Sequence, residues 1–286
     1  MTTTPSAVRA SARLAALRAA FAAADRLAPD LAARWALRVW CTLPRNGGRR
    51  RDERPEPGTT SAVPLPGGRR VVVESWGAGE PVYLAHGWGG WRGQLGAFVA
   101  PLVAAGRRVV AFDAPSHGES PPGHLGPRRS TAIEIAEAFT AVADVHGAPV
   151  AVVAHSLGCT TTALAVRAGL PVGRLALVAP SVDVMSMTAE LARVLGYGER
   201  TRTRFERRLE ALAGRPVRDF DLAEMTLPTP TLVVHDRHDK EVPYADGVRV
   251  AGAWPAARLH TTESLGHQRI LRDPGVVAEV TRFVVP

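Results

Sequence analysis

Ser156 lies in the run 149–164, PVAVVAHSLGCTTTAL, where a β-branched apolar stretch meets a hydroxyl and leaves as an Ala/Thr/Leu-rich segment. That order reads as strand, tight corner and helix. In Ala154-His155-Ser156-Leu157-Gly158 the residues two before and two after the serine are small. Strand and helix can then pack closely while the hydroxyl stands clear of both, and the first amides of the helix lie beside it, ready for developing negative charge. The chemistry this permits is nucleophilic attack by the serine oxygen. The plainer alternative is a serine that only caps a helix.

A serine hydroxyl is a poor nucleophile at neutral pH, so it needs an imidazole to take its proton and a carboxylate to orient that imidazole. His267 follows Gly266 in a loop beyond the last expected strand, which sets it apart from the other histidines. His260 is the runner-up, inside that strand. Asp239 falls deep in the loop after the strand 228–236, ahead of Asp236 at the strand end and Asp183 after the preceding strand. A glycine loop, His86-Gly87-Trp88-Gly89-Gly90, follows another apolar run, and its glycines let the Trp88 amide turn toward the site. With the Leu157 amide it would form an oxyanion hole. Asp113 and His117 lie so close in sequence that they are read as fixing the loop by local hydrogen bonds, with His117 as loop structure or pocket lining.

The elements that must position these groups alternate. A hairpin at 63–74 about Pro66-Gly67-Gly68 opens the domain, and strands at 81–85, 108–113, 150–153, 175–178, 228–236 and 257–261 are separated by helices at 91–105, 130–146 (capped by Ser130), 244–253 and 274–284. The expected fold class is α/β, a mostly parallel central sheet with helices on both faces, with function at the C-terminal strand ends. Residues 180–226 break the alternation with two short helical stretches and read as a helical cap, or lid. Its Met185 and Met187, with His86, Gly87 and His155, are the expected substrate contacts.

Before this domain, 1–45 reads as an appendage of two amphipathic helices, about 7–28 and 30–42, broken at Pro29. Leu14, Leu17, Phe21, Ala24, Ala28, Leu31 and Trp35 make its apolar stripe. Docking of that stripe onto the main domain is favoured over a membrane surface, since Asp25 and Asp30 interrupt the basic character. Residues 46–58, NGGRRRDERPEPG, read as an exposed linker, so the main domain spans 59–286.

Length and composition fit that picture: 286 residues with 46% hydrophobic content can bury a substantial core. The net charge of +8 comes almost wholly from Arg, Lys240 being the sole lysine, scattered among Ala, Gly and Pro as codon bias would scatter it. No basic block interleaved with aromatics suggests nucleic acid. Arg18 splits the N-terminal apolar stretch and Asp25 follows, against an export signal. The two cysteines, Cys41 and Cys159, form no disulfide framework and fit a cytoplasmic setting, with Cys159 a buried packing residue.

HGWGG at 86–90, DAPSHGES at 113–120, AHSLG at 154–158, HDRHDKEVP at 235–243 and LGH at 265–267, in the chain order Ser, Asp, His, make the sequence similar to the α/β-hydrolase superfamily, in particular its lysophospholipase-like and serine-aminopeptidase-like branch. The resemblance implies Ser156 as nucleophile, Asp239 as acid, His267 as base and the Trp88 and Leu157 amides as oxyanion hole. Ala154 and Asp236 depart from positions where glycine is frequent. The implied activity is cleavage of a small or medium carboxylic ester through an acyl-enzyme, with no metal or organic cofactor. A thioesterase or transacylase would use the same machinery, and a ligand-binding protein without turnover could keep the same residues.

Overall fold

A computed structural model describes residues 5–44 and 55–285; the expected linker falls mostly outside them. The chain forms two compact units, one from residues 1–42 and 183–219, the other from 43–182 and 220–286.

The larger unit is built on one eight-stranded sheet: β1 (Thr59–Leu65), β2 (Arg69–Trp76), β3 (Pro81–Ala85), β4 (Arg108–Asp113), β5 (Ala151–His155), β6 (Arg174–Val178), β7 (Thr231–Asp236) and β8 (Ala257–Thr262). The spatial order is β1-β2-β4-β3-β5-β6-β7-β8, with β1 and β2 antiparallel at one edge and parallel pairing from β4 through β8. Strands β3, β5 and β7 are buried along their whole length, which is why they read as unbroken apolar runs rather than alternating ones. Val82, Leu84, Val153, Val178, Leu232 and Val234 from the parallel strands pack with Leu95, Phe98, Leu102, Val276 and Val280 from the connecting segments into one core.

Some local chemistry differs from the sequence reading. Residues 91–105 do not make one helix: a 3₁₀ stretch (Arg92–Phe98) leads into α3 (Val99–Ala104) with a break at Leu95. Gly93, Gly96 and Pro101 lower helix propensity there. Thr131, not Ser130, caps α4 (Ala132–His146) by accepting from the Glu134 amide, while Ser130 donates to the Glu134 carboxylate. Helices α5 (Leu157–Arg167), α8 (Tyr244–Ala253), α9 (Gly266–Arg269) and α10 (Pro274–Val284) complete this unit.

The smaller unit joins α1 (Pro5–Leu27) and α2 (Pro29–Trp40) to α6 (Val184–Leu195) and α7 (Glu199–Ala213). The apolar stripe of the N-terminal helices therefore packs against the inserted pair. Phe21 is fully buried, stacked on Trp35 at 4.1 Å and beside Tyr197 at 5.6 Å, and Trp40 meets Phe205 edge-on. Ala32, Ala33 and Ala36 give α2 a thin face in the same core. Pro29 restarts the helix and shifts its phase, so Leu31, expected inside, is exposed, as is Leu14. Arg18 donates to the carbonyls of Arg193 and Val194 near the end of α6, satisfying orphan acceptors there.

Phe21→Ala removes the centre of this small core. The expected loss is about 3 to 5 kcal/mol in urea unfolding, and a loss below about 1 kcal/mol would mean the stack with Trp35 contributes little.

Candidate active site

β5 ends at His155 and α5 begins at Leu157, so the whole reversal falls on Ser156, at φ 54° and ψ −123°. A residue with a β-carbon is strained there and stays only because its surroundings over-determine it. The Ser156 amide donates to the Val178 carbonyl at 3.0 Å, and its carbonyl accepts from the Cys159 amide at 3.0 Å. Its side chain makes no capping bond to α5, so the hydroxyl is not spent as a helix cap. Close approach explains two glycines: a β-carbon on Gly158 would stand 2.6 Å from the Ala85 carbonyl oxygen, and one on Gly87 would stand 2.9 Å from the Ser156 β-carbon. At Ala154 the methyl group is wholly buried in the core, so glycine is not required.

His267 lies on the short helix α9 after β8, with Nδ1 2.7 Å from Asp239 Oδ2. A carboxylate only accepts, so Nδ1 carries the proton and Nε2 is left as the basic nitrogen. The other Asp239 oxygen accepts from the amides of Glu241 and Val242 at 2.8 and 2.9 Å. His235 Nε2 stands 3.6 Å from Oδ2 on the far side. Burial opposes charge on Asp239, but the close approach of His235 and hydrogen bonds from His267 and the Val242 amide outweigh it and hold the carboxyl well below the ordinary range.

The competing acids have other work. Asp236, fully buried at the end of β7, accepts from the His238 and Leu265 amides and the Thr262 hydroxyl, all at 2.9 Å. It thereby ties the loop carrying Asp239 to the start of α9, which carries His267. Asp183 caps α6, accepting from the Ser186 amide and hydroxyl. His260 sits within β8, paired with Val234.

His155 is a buried neighbour of this pair. Its Nε2 donates to the His267 carbonyl at 3.0 Å, the two rings are 4.6 Å apart, and the Gln94 amide approaches Nδ1 at 3.5 Å. Burial and the adjacent His267 push its pKa down to about 3, so it is neutral. A substrate contact was expected here. In the structure its Nε2 fixes the backbone of His267.

The His86 ring is committed likewise: Nδ1 donates to the Gly87 carbonyl at 2.8 Å and Nε2 accepts from the Ala114 amide at 3.1 Å. Both nitrogens are committed to backbone, stapling the 86–90 loop to the end of β4. His117 bonds the Pro115 carbonyl through Nδ1 and sits 5.5 Å from the Trp88 ring, with Nε2 buried and unpartnered among the described residues. Burial and neighbouring His86 bring its pKa down to about 3. Asp113 pairs with Arg92, not with His117. The Arg92 guanidinium, buried, reaches Asp113 at 2.5 Å, Glu74 at 2.8 Å and Glu119 at 2.7 Å, and its amide donates to Asp113. The expected oxyanion donors occupy suitable elements: Trp88 follows Gly87, which packs on Ser156, and Leu157 is the first residue of α5. Met185 and Met187 belong to the smaller unit, both part-exposed in the first turn of α6.

Sequence reasoning missed Arg92, His235 and the clamp made by Asp236. A lone arginine after a glycine loop, and a carboxylate where glycine is frequent, were the available signals. Burial pushes the Cys159 thiol up, so it is unreactive. Among the described residues no helix is long and apolar enough to cross a membrane, and no group of three or more His, Cys, Asp or Glu residues could hold a metal ion.

A family model described as "Alpha/beta hydrolase family" matches residues 82–280. A 2-hydroxy-6-oxononadienedioate/2-hydroxy-6-oxononatrienedioate hydrolase from Cupriavidus pinatubonensis is 28% identical over 265 residues, covering 74% of this chain and 90% of that protein. Among solved structures, a hydrolase from Pseudomonas aeruginosa superimposes with TM-score 0.60 at 23% identity, over 79% of this chain and 98% of its own. An esterase from Exiguobacterium antarcticum gives TM-score 0.60 at 16% identity, over 80% and 100%.

Two buried histidines are expected to weaken the fold toward acid. With folded pKa values near 3 for His117 and His155 against 6.5 unfolded, the unfolded chain binds protons that the native state refuses, so stability falls as pH drops below 6.5. Each histidine is expected to cost about 1 to 2 kcal/mol between pH 6.5 and 5. In His117→Phe the pH-dependent fall in melting temperature over that range should flatten, and an unchanged slope would refute the assignment.

Proposed function

For a chain that belongs to the alpha/beta hydrolase family, we propose cleavage of a carboxylic ester through a covalent acyl-serine. Ser156 Oγ attacks the carbonyl carbon as its proton passes to His267 Nε2, and the C=O electron pair moves onto oxygen, toward the amides of Trp88 and Leu157. When the tetrahedral species collapses, the bond to the leaving alkoxide breaks and His267 returns the proton to it. Water then attacks the acyl-enzyme with His267 again as base, releasing the acid and restoring Ser156. Asp239 stabilises the imidazolium formed in each half-reaction.

The observation that carries this reading is the pairing of His267 with Asp239 at 2.7 Å, tied through the His267 carbonyl to His155, the residue before a strained and uncapped Ser156. His155 contributes by its neutrality. A cation in its place would oppose the positive charge that His267 must take on.

The curated relative favours a second reading, hydrolysis of a 2-hydroxy-6-oxo-dienedioate. A panel of p-nitrophenyl esters of increasing chain length, assayed beside such an oxo-dienedioate, separates the two by kcat/KM.

Ser156→Ala is expected to lose about a thousandfold or more in kcat and to escape labelling by a fluorophosphonate probe, while Asp239→Asn should lower kcat with little change in KM. A folded parent protein that neither takes up the probe nor turns over any ester would favour a ligand-binding protein instead.

A further inference from the structure

We propose that the smaller unit docks on an anionic phospholipid bilayer, using the corner between α1 and α2 together with the arginine face of α7. The net charge of the chain is unevenly shared. Residues 1–42 and 183–219 hold fourteen arginines and eight carboxylates, whereas the rest of the chain holds twenty-one basic and nineteen acidic residues. About a quarter of the sequence thus carries six of the eight net positive charges.

Helical periodicity gathers part of that charge on one surface. Arg200, Arg204, Arg207 and Arg208 fall at i, i+4, i+7 and i+8 of α7 and line a cleft of about 530 Å³ with Asp30 of α2. The carboxylates there cannot neutralise them. Glu199, also lining the cleft, is held by Arg202 through both oxygens, and the single Asp30 carboxylate is shared between Arg208 at 3.2 Å and Arg204 at 3.6 Å. Arg200 and Arg207 are exposed and make no ion pair among the described residues, and Arg208 Nε is buried without an acceptor. Such guanidinium groups suit phosphate oxygens.

What selects a bilayer over a free phosphate, a nucleic acid or an acidic protein is the apolar material beside the arginines. Leu27 is 86% exposed and Leu31 is 61% exposed, on either side of Asp30 in sequence. Leu212, also exposed, lies one turn beyond Arg208 on α7. Leucines protruding next to a basic face fit the boundary between headgroups and acyl chains. The contact is not the one an unrolled amphipathic helix would make, because Phe21 and Trp35 of the apolar stripe are packed inside this unit. Docking therefore uses the folded unit as it stands.

Full-length protein is cosedimented with vesicles of phosphatidylcholine alone, or with about one third phosphatidylglycerol, at low salt and at about 1 M salt, where the screening length shrinks to about 3 Å. Binding is expected to the anionic vesicles only and to fall steeply with salt. Arg200→Gln/Arg207→Gln should lower partitioning by about twenty-five-fold, at about five-fold per arginine. Leu27→Ser/Leu31→Ser should lower it as well while keeping its salt dependence. Melting temperatures within a few degrees of the parent show that both variants are folded. Equal binding to phosphatidylcholine, no binding to either vesicle, or parental partitioning of both variants would overturn the proposal. So would complete competition by millimolar inorganic phosphate with no effect of the leucine substitutions, which would indicate a soluble anion site, or retention on duplex DNA without vesicle binding.

Discussion

The backbone reversal at Ser156 is the constraint on which the site depends. Held at φ 54°, it turns the chain from β5 into α5 within one residue, at a cost of about 1 to 3 kcal/mol relative to relaxed geometry. The cost is tolerable because β5 lies between β3 and β6 and is buried throughout. Gly158 lets α5 run against the end of β3, and Gly87 brings the 86–90 loop onto Ser156. A relaxed serine at this corner would turn its hydroxyl toward the helix amides as an ordinary cap. The strain keeps it from doing so.

Asp239 arrives on a loop and His267 on the one-turn helix α9, and both need tethers. Asp236 supplies one by bonding backbone on both sides, His238 next to Asp239 and Leu265 next to the turn that carries His267. His155 supplies the second, from the strand that carries Ser156 to the His267 carbonyl. The ends of β5, β7 and β8 are thereby joined through hydrogen bonds to backbone, which do not depend on the titration of His267. Arg92 does the same for the glycine loop by joining Glu74 of β2, Asp113 of β4 and Glu119. An unpaired charge so deeply buried would be costly, and three carboxylates compensate it.

What was legible in the sequence was what local chemistry decides. The elbow, the glycine loop, the succession of strands along the chain and the positions of Asp239 and His267 all follow from short runs of residues whose types have few other uses. Less legible were pairings between residues far apart along the chain, such as Arg92 with Asp113, or Asp236 with Leu265. Asp113 could be recognised as structural, yet its partner could not. The phase of α2 was misread for a related reason: the stripe through Leu31 assumes a continuous helix, and Pro29 resets the rotation so that Ala32, Ala33 and Ala36 face inward. Nor does spacing reveal that 183–219 groups with the N-terminal helices, since that requires the apolar faces of both to be known at once.

The same periodicity changes the meaning of composition. Read linearly, arginines scattered among alanines look like a coding preference without consequence. Wound at 3.6 residues per turn, those of α7 separate into Arg200, Arg204, Arg207 and Arg208 toward the cleft, while Phe205 turns into the core and Arg202 is occupied by Glu199. The larger unit, nearly balanced in charge, owes its chemistry to a few buried and paired groups. The smaller unit pairs some of its arginines, but its interior is aromatic and alanine-rich and its eight carboxylates are too few for fourteen arginines. Its charge must therefore be presented at the surface, and a unit this small has few faces on which to present it.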